Sequence, residues 1–168
     1  MKNMKKITFA LIFGLCLICL ITLASCAEKP ININLTDLSN YIGKTIDLTN
    51  TVPYDASNIQ NYYGIKPEDV KQIVVLKAMD VNSAEVLFLA EATDEIKAKA
   101  ISDSLNQNKA YTLNGLKDYT ANPNNEAQYY IVDKSNVWTD QNYVFWAVND
   151  KTADIDKMIK DYIKNSSK

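Results

Sequence analysis

The chain has 168 residues, with 18 Lys plus Arg against 20 Asp plus Glu and no His. Every basic residue is a lysine, and the three cysteines are Cys16, Cys19 and Cys26. The lack of histidine excludes a Ser-His-Asp or Cys-His apparatus and a His-ligated metal, so no catalytic or metal-binding residue is expected.

Lys2, Lys5 and Lys6 form a positive head before an apolar run from Ile7 to Ile21, broken only by Thr8 and Gly14. A charged head, an apolar core and small residues at the end are the parts of an export signal. The ending Leu23-Ala24-Ser25-Cys26 resembles the lipobox of bacterial lipoproteins. That resemblance implies a diacylglyceryl group on the Cys26 thiol and cleavage that leaves Cys26 as the new N-terminus. Two acyl chains anchor stably where one holds only weakly. The alternative is an uncleaved membrane helix, for which the apolar stretch is about long enough. Residues 1–25 are thus expected to be a lipoprotein signal peptide, 26–35 the lipidated cysteine and a polar tether, 36–164 a single domain, and 165–168 a polar tail.

Within the domain, Thr36 is placed to cap a short helix carrying Leu38, Tyr41 and Ile42, stopped at Gly43. Asp55 is placed to cap a second, 56–63, which Gly64 ends. Pro67-Glu68-Asp69 suits a single helical turn. Gln72 to Met79 and Glu85 to Ala92 are apolar runs separated by Asp80-Val81-Asn82-Ser83, a hairpin pattern. Both alternating residue sets of the first run are apolar, which predicts a strand covered on both faces or central in its sheet.

Thr93 is placed to cap a helix from Asp94 to about Gln107, with Ile96, Ala100, Ile101 and Leu105 on one face. Asn108 to Thr120 is compatible with more helix, though Gly115 weakens it. Asn122-Pro123 suits a helix start, although Tyr129-Tyr130-Ile131-Val132 fits a strand equally well. A second hairpin, Ser135 to Thr139 and Tyr143 to Asn149, turns at Asp140-Gln141-Asn142. A last helix is capped by Thr152 and carries the stripe Ile155, Met158, Ile159, Tyr162 and Ile163. The expected fold is α+β: an antiparallel sheet of two hairpins with helices packed on it, a ββα-ββα-like core preceded by short N-terminal helices. The equal spacing from Thr93 to Thr152 and from Ile96 to Ile155 fits either an old duplication or two like solutions to one packing problem.

Tyr63-Gly64-Ile65, Pro67-Glu68-Asp69, Ile73-Val74-Val75, Val137 and Asn142-Tyr143-Val144-Phe145 resemble a domain-of-unknown-function family of lipoproteins from low-GC Gram-positive bacteria. Its members often carry Gly in the second hairpin turn, where Gln141 stands here. The resemblance implies an envelope address and brings no activity with it.

No glycine-rich phosphate loop is present, and an acidic chain without arginine is a poor match for nucleic acid, so no cofactor and no nucleic-acid partner are expected. Glu91 ends an apolar strand, while Asp94-Glu95 and Asp150, Asp154 and Asp156 gather at helix starts, where the helix dipole explains them. The adjacent aromatics Tyr62-Tyr63 and Tyr129-Tyr130, with Trp138, Tyr143 and Trp146, cannot all face inward from one element. Exposed Tyr or Trp can stack on sugars or fill a partner's pocket; alternatively each packs its ring at the core boundary. Trp138 and Tyr143, flanking the second turn, are the candidate binding residues. These features point to a non-enzymatic lipoprotein on the extracytoplasmic face of the cell membrane. It would be held by acylated Cys26 and bind an envelope protein or a wall polymer. The alternatives are a carboxylate-dependent wall hydrolase, which needs two acids about 5 to 9.5 Å apart in a cleft, and a small-ligand-binding lipoprotein.

Overall fold

A computed structural model of the chain describes residues 29–117 and 123–166. The expected signal peptide, Cys26, the end of the Asn108–Thr120 stretch, Asn122 and the last two residues lie outside this range, and the compact unit begins at Ile31. Five helices and five strands are found among the described residues: α1 (Leu35–Gly43), β1 (Thr51–Pro53), α2 (Ala56–Tyr63), a 3-10 turn (Pro67–Asp69), β2 (Val70–Ala78), β3 (Val86–Ala92), α3 (Glu95–Lys117), α4 (Pro123–Lys134), β4 (Val137–Asp140), β5 (Tyr143–Val148) and α5 (Thr152–Ser166). The fold is α+β. All strand pairs are antiparallel, in the order β1-β2-β3-β5-β4, so the two hairpins meet through β3 and β5.

Helices cover both faces of the sheet. One core joins α1 and α5 to Leu87, Leu89, Tyr143, Phe145 and Ala147; the other joins α2, α3 and α4 to Val86, Phe88, Ala90, Val144, Trp146 and Val148. This two-sided cover explains why β5 is buried at all six positions and reads as an unbroken apolar run. Each such buried aliphatic or aromatic side chain stabilises by about 1.5–3 kcal/mol. The β2–β3 register shifts between Val70 and Gln72, leaving Lys71 as the extra residue. That bulge lets Val70 join the α2–α4 core while Gln72 pairs with Glu91 beneath α1.

Several boundaries differ from the sequence reading. Asn34, rather than Thr36, caps α1 through the Asp37 amide, and Asp94, rather than Thr93, accepts from the Lys97 amide. Thr152 is itself the first residue of α5, its hydroxyl buried against the carbonyls of Ala147 and Asn149. Ile96 is 81% exposed, and α3 packs instead through Ala98, Ile101 and Leu105. That helix runs ten residues beyond Gln107, with Leu113 and Leu116 reaching the core edge and Gly115 in open space. The Tyr129–Val132 stretch is helix. The edge strand β1 has no counterpart in the expected pair of hairpins.

Two further features concern the ends. Ile31 to Leu35, read as part of the tether, docks on the sheet. Ile33 and Leu35 are buried, and the Ile31 and Ile33 amides donate to Gln141 Oε1 (2.9 Å) and the Tyr143 hydroxyl (3.3 Å). Gln141, in the second hairpin turn, adopts φ 52°, a left-handed conformation that glycine takes freely. Helix α5 continues to Ser166, into the expected polar tail.

Candidate functional site

The sequence places seven aromatic residues in question, and the sheet sorts them. Tyr143 is buried under α1 and α5, its ring stacked 6.2 Å from Phe145 and its hydroxyl accepting from the Ile33 amide. Burial pushes its phenol above the ordinary range. Trp138 is half-buried on the same face, 4.5 Å from the Phe145 ring, with Nε1 donating to Asp156 Oδ1 at 3.0 Å and the Lys160 ammonium over its ring. Burial raises the Asp156 carboxyl, and the Trp138 bond pulls the other way. The two candidate residues therefore share a face, but Tyr143 belongs to the core there and Trp138 to its boundary.

The opposite face holds a different assembly. Helix α2 starts at Asp55, whose carboxylate accepts from the Asn58 amide, and closes at Gly64 with φ 67°. Ile59 and Tyr63, four residues apart, point inward, which leaves Tyr62 on the rim at 61% exposure. The last carbonyls of α2 need partners, and α3 supplies them. Asn108 Nδ2 donates to the Tyr62 carbonyl at 3.2 Å, and the Ser104 hydroxyl to that of Tyr63. The Tyr63 ring meets Phe88 and Trp146 edge-on, with centroids at 5.4 and 6.5 Å. Trp146 Nε1 donates to the buried Ser135 hydroxyl at 2.9 Å. Lys109 ties α3 to the carbonyls of Asp133 and Ser135, and Gln128 of α4 accepts from the Ala84 amide at 2.7 Å.

Fixed in this way, α2, α3, α4 and the two hairpins enclose a cleft of about 190 Å³. Tyr54, Tyr62, Tyr63, Tyr111 and Trp146 line it, with Lys77, Asn108 and Thr112 as its polar groups. The Tyr54 and Tyr62 rings lie 5.4 Å apart, and Tyr111 is 80% exposed. Burial drives the Tyr63 phenol far above its usual range and that of Tyr54 upward. Both hydroxyls stay neutral near pH 7. None of the lining residues is acidic. The arrangement offers π faces, neutral hydroxyls and one cation, which suits recognition rather than bond breaking. Tyr62, Tyr63 and Trp146 stood out in the sequence as aromatics in excess of a core. Tyr54, Tyr111 and Lys77 did not, because they come from three separate elements with no local pattern.

Two other clefts are more polar. One of about 360 Å³ is lined by Tyr130, Lys134, Asn136 and Asp156 among others. Another, of about 260 Å³, gathers Asp47, Glu85, Asp150 and Lys151. In the latter, burial and the nearby Asp150 charge raise the Glu85 carboxyl, whereas Thr49 hydrogen bonds hold the Asp47 carboxyl down. Asp47 Oδ1 is engaged by the Thr49 hydroxyl and amide (2.6 and 2.9 Å), and Glu85 Oε1 by Asn149 Nδ2 (3.0 Å). Glu91 is a structural node, accepting from Gln72 and Asn142 and paired with Lys71 at 3.3 Å. Among the described residues, no group of three or more acids or cysteines is placed to hold a metal ion, and no helix is long and apolar enough to cross a membrane. Cys26 lies outside the described residues.

No curated protein and no solved structure matches the chain. The model of one family matches residues 44–149, a span that contains every residue lining the aromatic cleft. That match covers more than half of the sequence, and the chain belongs to the family DUF4358, a domain of unknown function.

Proposed function

We propose that the protein is a non-catalytic binding module of the cell envelope, tethered to the extracytoplasmic face of the membrane by acylated Cys26, and that the aromatic cleft is its recognition surface. The observation that carries the binding role is the convergence of four tyrosines and a tryptophan on one cleft. Two of those rings, Tyr62 and Tyr111, remain in solvent although their large apolar area favours burial. The address is supported by the lysine head, the apolar run and Leu23-Ala24-Ser25-Cys26. The partner is a wall polymer, or an envelope protein presenting a ring-sized group.

A thermal-shift and calorimetric screen of sugars, wall fragments and short peptides tests the binding role. A ligand that stabilises the wild type and loses at least tenfold in affinity with Tyr62→Ala and Tyr111→Ala is the expected result. Ligands that bind both variants as well as the wild type would place recognition elsewhere. Mass spectrometry of the native N-terminus tests the anchor, where an intact leader or an unmodified sulfur would overturn it.

The reading as a carboxylate-dependent wall hydrolase has one observation in its favour, the opposed shifts of Glu85 and Asp47 in one cleft. It requires wall turnover that Glu85→Gln and Asp47→Asn each abolish.

A further inference from the structure

We infer that Lys77 is the ion-pair anchor of the aromatic cleft, so that its ligand is an organic anion carried on a single ring-sized body. The inference rests on the cleft being the recognition surface and adds the chemistry of what enters it. Lys77 stands on β2 opposite Val86 and shares its face of the strand with Ile73 and Val75, which belong to the α2–α4 core. Lys77 itself is half-buried there, so its ammonium is partly stripped of water and favours a partner. Its Nζ donates to the Ser83 carbonyl at 2.9 Å. The four ion pairs found among the described residues involve Lys71, Lys97, Lys99 and Lys157 instead. An ammonium carries three donors, so Lys77 can donate to a ligand while keeping its bond to Ser83.

Burial lowers the affinity of Lys77 for its proton, and Glu85 offsets this only in part. An incoming carboxylate or phosphate adds to the counter-charge that Glu85 supplies, in a partly desolvated setting that strengthens charge-assisted hydrogen bonds. The walls set the rest of the ligand. The cleft of about 190 Å³ is comparable with an engineered cavity of about 150 Å³ that holds benzene. Room for one six-membered ring beside Tyr63 and Trp146 follows. No lining residue is acidic, and Glu85, whose charge reaches Lys77, stands outside the lining.

The simpler role for Lys77 is to close the β2–β3 turn through Ser83, and a pairwise binding experiment separates the two. The full chain in detergent is titrated calorimetrically with 4-hydroxyphenylacetate and its neutral amide, and with glucuronate and glucose. The acid of at least one pair is expected to bind tenfold or more tightly than its neutral partner, with the preference shrinking as salt rises. Lys77→Met should erase the preference and Lys77→Arg retain it, while Tyr111→Ala weakens both members of a pair alike. Preference in the aromatic pair assigns an aryl acid, and preference in the sugar pair an acidic saccharide. Equal binding of acid and neutral partner, or a preference that survives in Lys77→Met, overturns the anchor and leaves the cleft standing. Failure of all four probes to bind the wild type overturns the anchor and counts against the cleft as well. Should Lys77→Met fold poorly, the Nζ resonance of wild-type Lys77 gives the same decision. Its pKa rises on saturation if the pair forms, and no change refutes it.

Discussion

Replacing Gln72 by Leu tests how the N-terminal strap is held. The Gln72 amide sits where three pieces of chain meet. Its Oε1 accepts from the Leu35 amide at 3.1 Å, and its Nε2 donates to the Ile33 carbonyl at 3.1 Å and to Glu91 Oε2 at 2.7 Å. The first of these satisfies an amide in the opening turn of α1, next to the Asn34 cap. Neutral hydrogen bonds contribute about 1 kcal/mol each and one to a carboxylate about 1.5–3 kcal/mol. Leucine fills similar space and removes all three bonds, while the half-buried location lets water recover part of the loss. A destabilisation of about 2–3 kcal/mol is expected. With a urea slope of about 1–3 kcal/mol/M, the midpoint falls by about 1 M or more at unchanged slope. Hydrogen exchange supplies the local readout, since the amides of Ile33 and Leu35 should exchange about thirty-fold faster or more. A midpoint within about 0.2 M of wild type, with those two amides equally protected, would refute the reasoning and move the start of the folded unit to α1.

Two other perturbations address the end of α2 and the polar cleft around Glu85. Gly64→Ala meets only ordinary contact, its Cβ falling 3.8 Å from Ser104 Oγ, so the left-handed φ of 67° alone costs about 1 kcal/mol. Urea unfolding should show Gly64→Asn intermediate between the two, and an unaffected alanine variant would mean that α2 ends differently. For Glu85, burial raises the folded pKa above the ordinary 4.5, so the folded chain holds this proton more tightly than the unfolded one. Its contribution favours folding below the unfolded pKa and is lost as pH climbs through the folded pKa. Glu85→Gln should accordingly raise the thermal midpoint at pH 7 while matching the wild type below about pH 4. An advantage that is the same at both pH values would contradict this.

The elements most legible in the sequence are those whose burial is complete or strictly one-sided. The apolar runs of β2, β3 and β5 and the stripe of α5 required no tertiary information. Asp55 and Gly64 bracket α2 because cap and stop chemistry is local. The failures share a cause, since each was decided by a distant partner. Ile31 to Leu35 looks polar because Asn32 and Asn34 alternate with the buried positions, and only Gln72, Gln141 and Tyr143 reveal that the strap is docked. Strand β1 is three residues long and ends in a proline, too short to show a period. Helix α3 outlasts its apolar stripe because α2 and the α4–β4 connection hold its second half through Asn108 and Lys109.

The question of duplication turns on one residue of spacing. An offset of 59 residues superposes the two helices, Thr93 on Thr152 and Ile96 on Ile155, and with them Val86 on Phe145. Yet Val86 packs under α2–α4 and Phe145 under α1 and α5. Side chains alternate along a strand, so equivalent helices would follow strands facing opposite ways. The helices do diverge: α3 covers one face of the sheet and α5 the other, and Ile96 is exposed where Ile155 is buried. A two-fold axis through the β3–β5 pair would leave both helices on the same face. The resemblance between the halves is therefore one of local grammar, an apolar strand followed by a capped helix. It is the opposite placement of those helices that leaves the α2–α4 face free to build the aromatic cleft from one half of the chain and to close it with Trp146 from the other.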